Sequence, residues 1–421
     1  MSKWLVINRL SNIFRALRHR NYKLFFTGNG LSLIGTWMQQ AAMGWYVYRI
    51  TNSSYYLGLM AFAANIPTFF LTSLAGVAAD HFNRHKIIIS TQFFLLIQAF
   101  CLFIQVYLFP PSIYCLVGLS LFQGLINAFD APARQAFVYD LIEDKSDLGN
   151  AIALNSIMFN SARLVGPSLA AFIIYKAGES ACFFLNALSY IAILFALSLM
   201  KINSKPKITK KENVFANLKE GFVYSYNFYP IKSVLMLVSI ISVMGMSYVV
   251  LLPVFARDIL KGGPELLGYL MGAVGIGAIC GGAYLASKKD PANVYKLIPR
   301  SLFIASVSLM LFAFSVNKYF SFFCLIGTGF GMMSGIAACN TTIQAVADED
   351  KRGRVIGLYV MSFLGMAPFG SFVVGTLAHY YGAPLTIFIC GLFCIGGTVN
   401  FFMKLAVIQK EIKAAMAKKG N

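Results

Sequence analysis

Charge is what this chain has least of. Asp, Glu, Lys and Arg make up only 12% of 421 residues, and acidic charge is the scarcer kind, 16 Asp and Glu against 35 Lys and Arg. A water-soluble domain carries about twice that share, so a single aqueous surface around one core is excluded. The four histidines, His19, His81, His85 and His379, lie at or beyond the ends of apolar runs, and no His-Glu-x2-His occurs. None of the eight cysteines forms a Cys-x-x-Cys, so no metal centre or redox pair is readable and no cofactor is expected. Cys101, Cys115, Cys182, Cys280, Cys324, Cys339, Cys390 and Cys394 all sit inside apolar runs, as small packing residues do. Also missing are a Gly-x4-Gly-Lys-Ser/Thr phosphate loop and a Gly-x-Ser-x-Gly nucleophile turn, so ATP is not the evident energy source and an enzyme is not expected. No run carries Asp or Glu near its centre, which leaves the coupling ion open, the proton included.

Long apolar runs are what the chain has instead, with 58% hydrophobic residues. Runs long enough to cross a ~30 Å hydrocarbon layer cover residues 22–50, 55–79, 87–108, 112–130, 149–175 and 181–200, then 231–255, 266–286, 297–316, 320–346, 355–378 and 385–405. The pattern predicts an all-α polytopic membrane protein of about twelve transmembrane helices. A net charge of +19 would suggest nucleic acid in a soluble protein, but here the basic residues gather at run ends and act as topology signals. No nucleic-acid partner is expected. Arg84, Lys86, Arg134, Lys145, Lys288, Lys289 and residues 351–354 fall on one side with both termini; Arg49, Lys176, Arg257, Lys261 and Lys318 fall on the other. That asymmetry predicts cytoplasmic termini.

The organisation follows: a basic arm at 1–21, a six-helix half at 22–200, a basic linker at 201–230, a second half at 231–406 and a basic tail at 407–421. No removable signal peptide is visible in the arm. Val6, Leu10, Ile13, Phe14 and Leu17 recur there at helical spacing among arginines, predicting a helix on the cytoplasmic face of the bilayer, with anionic lipid as its partner. The halves resemble each other. A shift of 204 positions lays Asn150-Ala-Ile-Ala-Leu154 on Arg354-Val-Ile-Gly-Leu358, Gly166 on Gly370 and Gly178 on Gly382. Such repeats are typical of transporters with a central site.

Between the second and third runs lies a charged knot, residues 76–86, short enough to read as a tight loop joining antiparallel neighbours. Its Gly76, Asp80, Arg84 and Lys86 resemble the signature loop of the major facilitator superfamily, with His81 and Asn83 where Arg and Gly are usual. The resemblance implies the major facilitator fold, two pseudo-symmetric six-helix halves, and a gate in which Asp80 accepts hydrogen bonds from the N-terminus of the eleventh helix. Arg84 and Lys86 would pair with Asp80 or lipid phosphate. The alternative is a positive turn that only sets topology. Phe129-Asp130-Ala-Pro132-Ala-Arg134-Gln135-Ala-Phe137 and Arg352-Gly353-Arg354-Val355 resemble the branch of bacterial enterobactin-type siderophore exporters and macrolide efflux permeases. This implies a bacterial inner-membrane protein working as a monomer.

Polar residues within the runs nominate a site. Ser120, Gln123, Asn127, Asp130 and Arg134 repeat at spacings of 3, 4, 3 and 4, so they share one helical face, which must meet protein or a cavity. The superfamily's arginine ahead of Gln-Gly is replaced by Ser120, a departure from its proton-linked relay. Asp130 and Arg134 are expected as a cytoplasmic salt bridge more than as cargo ligands. The fifth run offers Ser156, Asn160 and Arg163, then Gly166-Pro167, which resembles the Gly-Pro bend of exporters and joins the expected gate. Arg163 lies ~21 Å from the start of its run, near the bilayer midplane, where a lone guanidinium costs at least ~2.5 kcal/mol. It either faces the cavity or bridges helices. Asn29, Ser32, Thr36 and Gln39 line one face of the first run, with Trp37, Gln40 and Trp45 nearby, and the second run adds Asn65, Thr68 and Thr72. These residues line a cavity or serve interhelical hydrogen bonds without ligand. Asn340, Gln344 and Asn400 are weaker candidates, while Gly268, Gly272, Gly277 and Gly281 read as packing seams.

The chain therefore reads as a secondary transporter working by alternating access and exporting an amphipathic, siderophore-like small molecule. Drug or macrolide efflux, or uptake of a similar molecule, is the alternative within transport; a non-transporting receptor or scaffold is the alternative outside it.

Overall fold

The computed structural model describes residues 14–202, 214–288, 291–349 and 351–420, except the side chains of residues 73, 77, 79, 80, 214–219, 291, 292 and 413–420. Val6, Leu10 and Ile13 of the expected surface helix, and the side chain of Asp80, lie outside this description. Twelve long helices follow one another: α1 Arg20–Thr51, α2 Ser54–His81, α3 Arg84–Leu108, α4 Ile113–Leu141, α5 Leu148–Ala177, α6 Glu179–Ser198, α7 Tyr229–Ile259, α8 Pro264–Ala286, α9 Leu297–Ala313, α10 Lys318–Val346, α11 Arg352–Tyr381 and α12 Ala383–Met403. Among the described residues eleven of them, α2 to α12, are long and apolar enough to cross a membrane. At 32 residues α1 has the length, about 48 Å. Its polar stripe dilutes its apolar character, and Asn29, Ser32 and Gln39 of that stripe are turned inward.

The chain divides into two compact units, Met1–Tyr46 with Phe70–Lys210, and Val47–Phe69 with Lys211–Asn421. In the first, Phe25 packs edge-on against Phe137 at 5.6 Å, and His85 stacks on the same ring at 5.7 Å while bonding the Leu197 carbonyl at 3.0 Å. The knot at 76–86 is less of a loop than its charge suggests. Helix α2 runs on to His81, and Asn83 caps α3 by accepting from the Lys86 N–H at 3.2 Å, so only Phe82 and Asn83 separate the helices.

Each unit contains a lead-in that precedes a run of its helices and grips a helix corner. In the first, the short turn Arg15–Arg18 docks on the α4–α5 corner. Arg15 pairs with Asp147, His19 approaches the same carboxylate at 3.1 Å, the Ala16 N–H donates to Asn150 at 2.9 Å, and the Tyr22 hydroxyl donates to the Ala151 carbonyl at 2.8 Å. In that corner Asp144 accepts from the Ser146 N–H at 2.9 Å, a bond that holds its carboxyl below the usual carboxylate range. Lys145 closes the end of α4 by donating to the Tyr139 and Ile142 carbonyls. In the second unit the linker, expected as a loop, contains a helix, Val214–Asn227, on the α10–α11 corner. Glu220 pairs with Arg354 at 2.5 Å, the Tyr224 hydroxyl accepts from the Asp348 N–H at 3.3 Å, and Lys351 sits over the Tyr224 ring at 4.8 Å. The tail is also helical, Leu405–Gly420, and buries Ile408 and Ile412 in the second unit's core.

The internal repeat carries structural weight. Gly178 and Gly382, 204 positions apart, hold φ of 80° and 82° where α5 turns into α6 and α11 into α12, a left-handed conformation that glycine alone adopts without strain. Gly166 lets α5 approach α1, since a Cβ there would stand 2.5 Å from the Trp37 Cβ and 2.9 Å from the Ile34 carbonyl. Gly370 does the same for α11 on α7, its Cβ position lying 2.3 Å from the Val243 carbonyl. The equivalents are not identical. Helices α7 and α11 contain π-helical turns, Ile241–Gly245, Phe255–Ile259 and Met361–Gly365, whereas α1 and α5 are continuous.

Candidate functional site

The stripe on α1 meets polar residues of α3, α4 and α6 inside the first unit. Asn29, Ser32 and Gln39 are each only 1% exposed, so their side chains are enclosed by protein. Two layers result. In one, Asp130 is held on both carboxylate oxygens: Oδ1 accepts from Thr91 Oγ1 at 2.7 Å and Gln92 Nε2 at 2.8 Å, and Oδ2 accepts from Arg134, which also donates to Asn29 Oδ1. A buried charge pair with its lone pairs filled is a stable arrangement; one with a missing partner is not. In the other layer, Gln39 donates to Gln98 Oε1 at 3.1 Å and accepts from Asn186 Nδ2 at 2.8 Å, while Ser189 donates to Asn186 Oδ1 at 3.1 Å. Between them Thr36 meets the Tyr190 hydroxyl at 3.1 Å, and Ser32 Oγ is 3.5 Å from Gln92 Oε1.

Arg163 differs from all of these. It stands at the middle of the 30-residue α5, half-buried, and among the described residues no hydrogen bond or ion pair is recorded for it. Its guanidinium carbon lies 5.6 Å from the centre of the Trp37 ring, within cation–π range. Trp37 in turn meets Phe159 edge-on at 5.7 Å. On the same helix Asn160 turns back to the Ser156 carbonyl at 2.8 Å. Gln123 and Asn127 are half-buried on α4. Asn65 of α2, which belongs to the second unit, is exposed and donates to the Ala61 carbonyl at 2.9 Å. Helix α10 pairs Gln344 with Asn340 at 3.1 Å. The candidates thus separate into an enclosed set, Asn29, Ser32, Gln39 and Asp130, to which the half-buried Arg134 is bonded, and a half-buried set without such a layer, Gln123, Asn127, Asn160 and Arg163 with Trp37.

Of the gate candidates, Arg84 finds Asp140 on α4, with both carboxylate oxygens 3.2 Å away. Lys86 is exposed and Gly76 half-buried. Gly166 and Pro167 are buried where α5 crosses α1.

Sequence reasoning missed two groups. Thr91, Gln92, Gln98, Asn186 and Ser189 lie in strongly apolar runs, where any buried amide needs a partner; that was the available signal. The second group lies in the second unit around the α1–α2 turn, where Asn52 adopts φ of 49°. Tyr48 donates to Asp258, Arg257 donates to Asn52 Oδ1 at 2.8 Å, and Ser53 Oγ lies 3.3 Å from His379 Nδ1. Beside them the α2 and α11 backbones touch, a Cβ on Gly58 falling 2.6 Å from the Ser371 carbonyl.

Several known proteins resemble this chain. The staphyloferrin A transporter of Staphylococcus aureus is 26% identical over 397 residues, spanning 93% of this chain and 97% of that one. The multidrug efflux pump Tap of Mycolicibacterium fortuitum is 22% identical over 371 residues, 85% and 88% of the two chains. The enterobactin exporter EntS of Shigella boydii is 22% identical over 380 residues, 90% and 89%. Among solved structures, a POT family transporter in complex with a thioalcohol-conjugated peptide superposes with a TM-score of 0.73 at 11% identity, covering 92% of this chain and 96% of that one, which speaks for the fold alone. Residues 11–419 match the transmembrane secretion effector family, and the chain accordingly belongs to that family of the major facilitator superfamily and is a multi-pass membrane transporter.

Proposed function

We propose that this transporter exports an amphipathic organic anion of the siderophore class by alternating access, with Arg163 as the charge partner of the cargo. The supporting observation is a half-buried guanidinium at the centre of a membrane helix, for which no acidic partner is recorded among the described residues. Measured along the helices at ~1.5 Å per residue, Asp130 lies ~15 Å from the level of Arg163, and it is already held by Arg134, Thr91 and Gln92. The kinship to proteins named for staphyloferrin A and enterobactin supports the cargo class. Gln123, Asn127 and Asn160 supply polar contacts beside Arg163. Asn29, Ser32, Thr36 and Gln39 support Arg163 from within the same unit, and Asn65 is the cavity residue assigned to the second unit. Gly76, Asp80, Arg84 and Lys86 at the α2–α3 turn, with Gly166 and Pro167, form the conformational gate. The protein resides as a monomer in a bacterial inner membrane with both termini cytoplasmic and its basic residues against anionic lipid, and the proton is the coupling ion to be tested first.

The test is transport in reconstituted vesicles, comparing siderophores and lipophilic drugs with and without an imposed proton gradient. Arg163→Gln is expected to leave the protein folded and to weaken anionic cargo far more than a neutral analogue, while Arg163→Lys recovers part, because the bidentate fork is lost. Equal losses for both cargoes would mark Arg163 as a structural bridge. The kinship to Tap supports a second reading, efflux of uncharged drugs, and the same panel separates it: drug transport indifferent to Arg163→Gln would favour it.

A further inference from the structure

We propose that Trp37 is the positioning residue of the anion site: its indole face stands in for the absent carboxylate counter-ion and leaves the in-plane donors of Arg163 free for a planar carboxylate on the cargo. The inference rests on the reading of Arg163 given above. A guanidinium offers two kinds of surface, a flat face that an aromatic ring attracts and an edge carrying five N–H donors. The Trp37 ring centre is 5.6 Å from the guanidinium carbon, and no acceptor for the donors is recorded among the described residues. An acidic partner would neutralise the charge and fill the edge. The indole attracts the charge and, having no acceptor lone pair to offer, does not fill the donors as a carboxylate would.

Trp37 is itself fixed on two sides. Its backbone is held against α5 at Gly166, where a Cβ would come within 2.5 Å of the Trp37 Cβ, and its ring is met edge-on by Phe159 at 5.7 Å and 77°. The ring's position therefore follows from the α1–α5 crossing, and the ring draws the guanidinium toward its face. Two parallel N–H donors of the planar guanidinium match the two oxygens of a carboxylate, whereas the neutral carboxamide of the same shape presents one oxygen and a competing donor. The site would thus select carboxylate over its amide, and Trp37 would set that selectivity without touching the cargo's charge.

The experiment uses the full chain in vesicles and a defined probe pair, a dansylated amphipathic carboxylate and its carboxamide. Expected is a preference for the carboxylate in the parent protein that falls about tenfold in Trp37→Leu through a raised KM at unchanged maximal rate. Trp37→Phe should retain most of it, and Trp37→Leu combined with Arg163→Gln should be no worse than Arg163→Gln alone. Loss in Arg163→Gln with the preference intact in Trp37→Leu would overturn the role of Trp37 and leave the anion site standing. Absence of any preference in the parent, or its survival in Arg163→Gln, would overturn the anion site and this inference with it. A second readout needs no cargo. In a background carrying Trp4→Phe and Trp45→Phe, Trp37 is the remaining tryptophan of the three, and its emission should shift on Arg163→Gln and less on Arg163→Lys. Unchanged emission would overturn the contact, including in the case that Trp37→Leu does not fold.

Discussion

In the first unit buried side chains join the helices, Gln39 to Gln98 and Asn186, Asp130 to Thr91, Gln92 and Arg134; in the second the closest helix pair, α8 and α10, is joined through the near-absence of side chains. There a Cβ on Gly277 would fall 2.1 Å from the Ile326 carbonyl, one on Gly281 2.4 Å from that of Phe330, and one on Gly331 2.2 Å from that of Ser301. Lipid tails are as apolar as leucine, so helices in a bilayer gain little from the hydrophobic effect and rely on polar bonds or close packing. The units weight the two remedies differently: the first also has a close crossing at Gly166 and the second a polar bond from Tyr48 to Asp258, but buried amide layers belong to the first and the glycine seam of α8 and α10 to the second. Polar bonds fix which atoms face which, and they surround a buried charge pair. Glycine seams fix only the distance, and they occur in the unit whose α7 and α11 carry π-helical turns.

The sharpest way to break this contrast is Asp130→Ala. It strips Arg134 of its counter-ion inside protein and should cost about 3–5 kcal/mol, read as a drop in the thermal midpoint of the purified protein. Next comes Gly277→Val, which forces a branched side chain into the α8–α10 seam at a cost of about 1–3 kcal/mol, whereas Gly118→Ala, whose Cβ would meet nothing within 4 Å, should stay within roughly 0.5 kcal/mol. A smaller loss than that of Gly277→Val belongs to Gln39→Leu. It leaves Gln98 and Asn186 short of one partner each and should cost about 0.6–1.7 kcal/mol, the range of hydrogen bonds inside membranes. A Gln39→Leu protein as stable as the parent would mean that this layer is not what joins α1 to α3 and α6.

Run length was enough to read the helices, because a bilayer fixes the number of apolar residues a span needs. Spacing was enough to see that Asn29, Ser32, Thr36 and Gln39 share a face. It did not say what that face meets, because Gln98 and Asn186 are separated from Gln39 by 59 and 147 positions and nothing local links them. The same holds for Tyr48 and Asp258, 210 positions apart. The turn glycines were legible as a repeat, since a left-handed corner admits few other residues. The π-helical turns were not, because an extra residue inside a helix changes hydrogen bonding without changing composition. The linker helix was hidden for a related reason: its lysine-rich surroundings read as polar chain, and it becomes a packed element by pairing Glu220 with Arg354 and laying Tyr224 on the α10–α11 corner.

The two lead-ins are of opposite sign. A cation, Arg15, grips an acid at the first corner; an acid, Glu220, grips a cation at the second. A ribosome delivers the chain N-terminus first, so Asp147 is claimed by Arg15 and His19 while Glu220 is still unmade. When Glu220 does emerge, the first corner offers it a carboxylate of its own sign and the second offers Arg354. Two halves similar enough to share a turn glycine at matching positions thus carry lead-ins whose gripping charges are not interchangeable, a form of negative specificity against swapping.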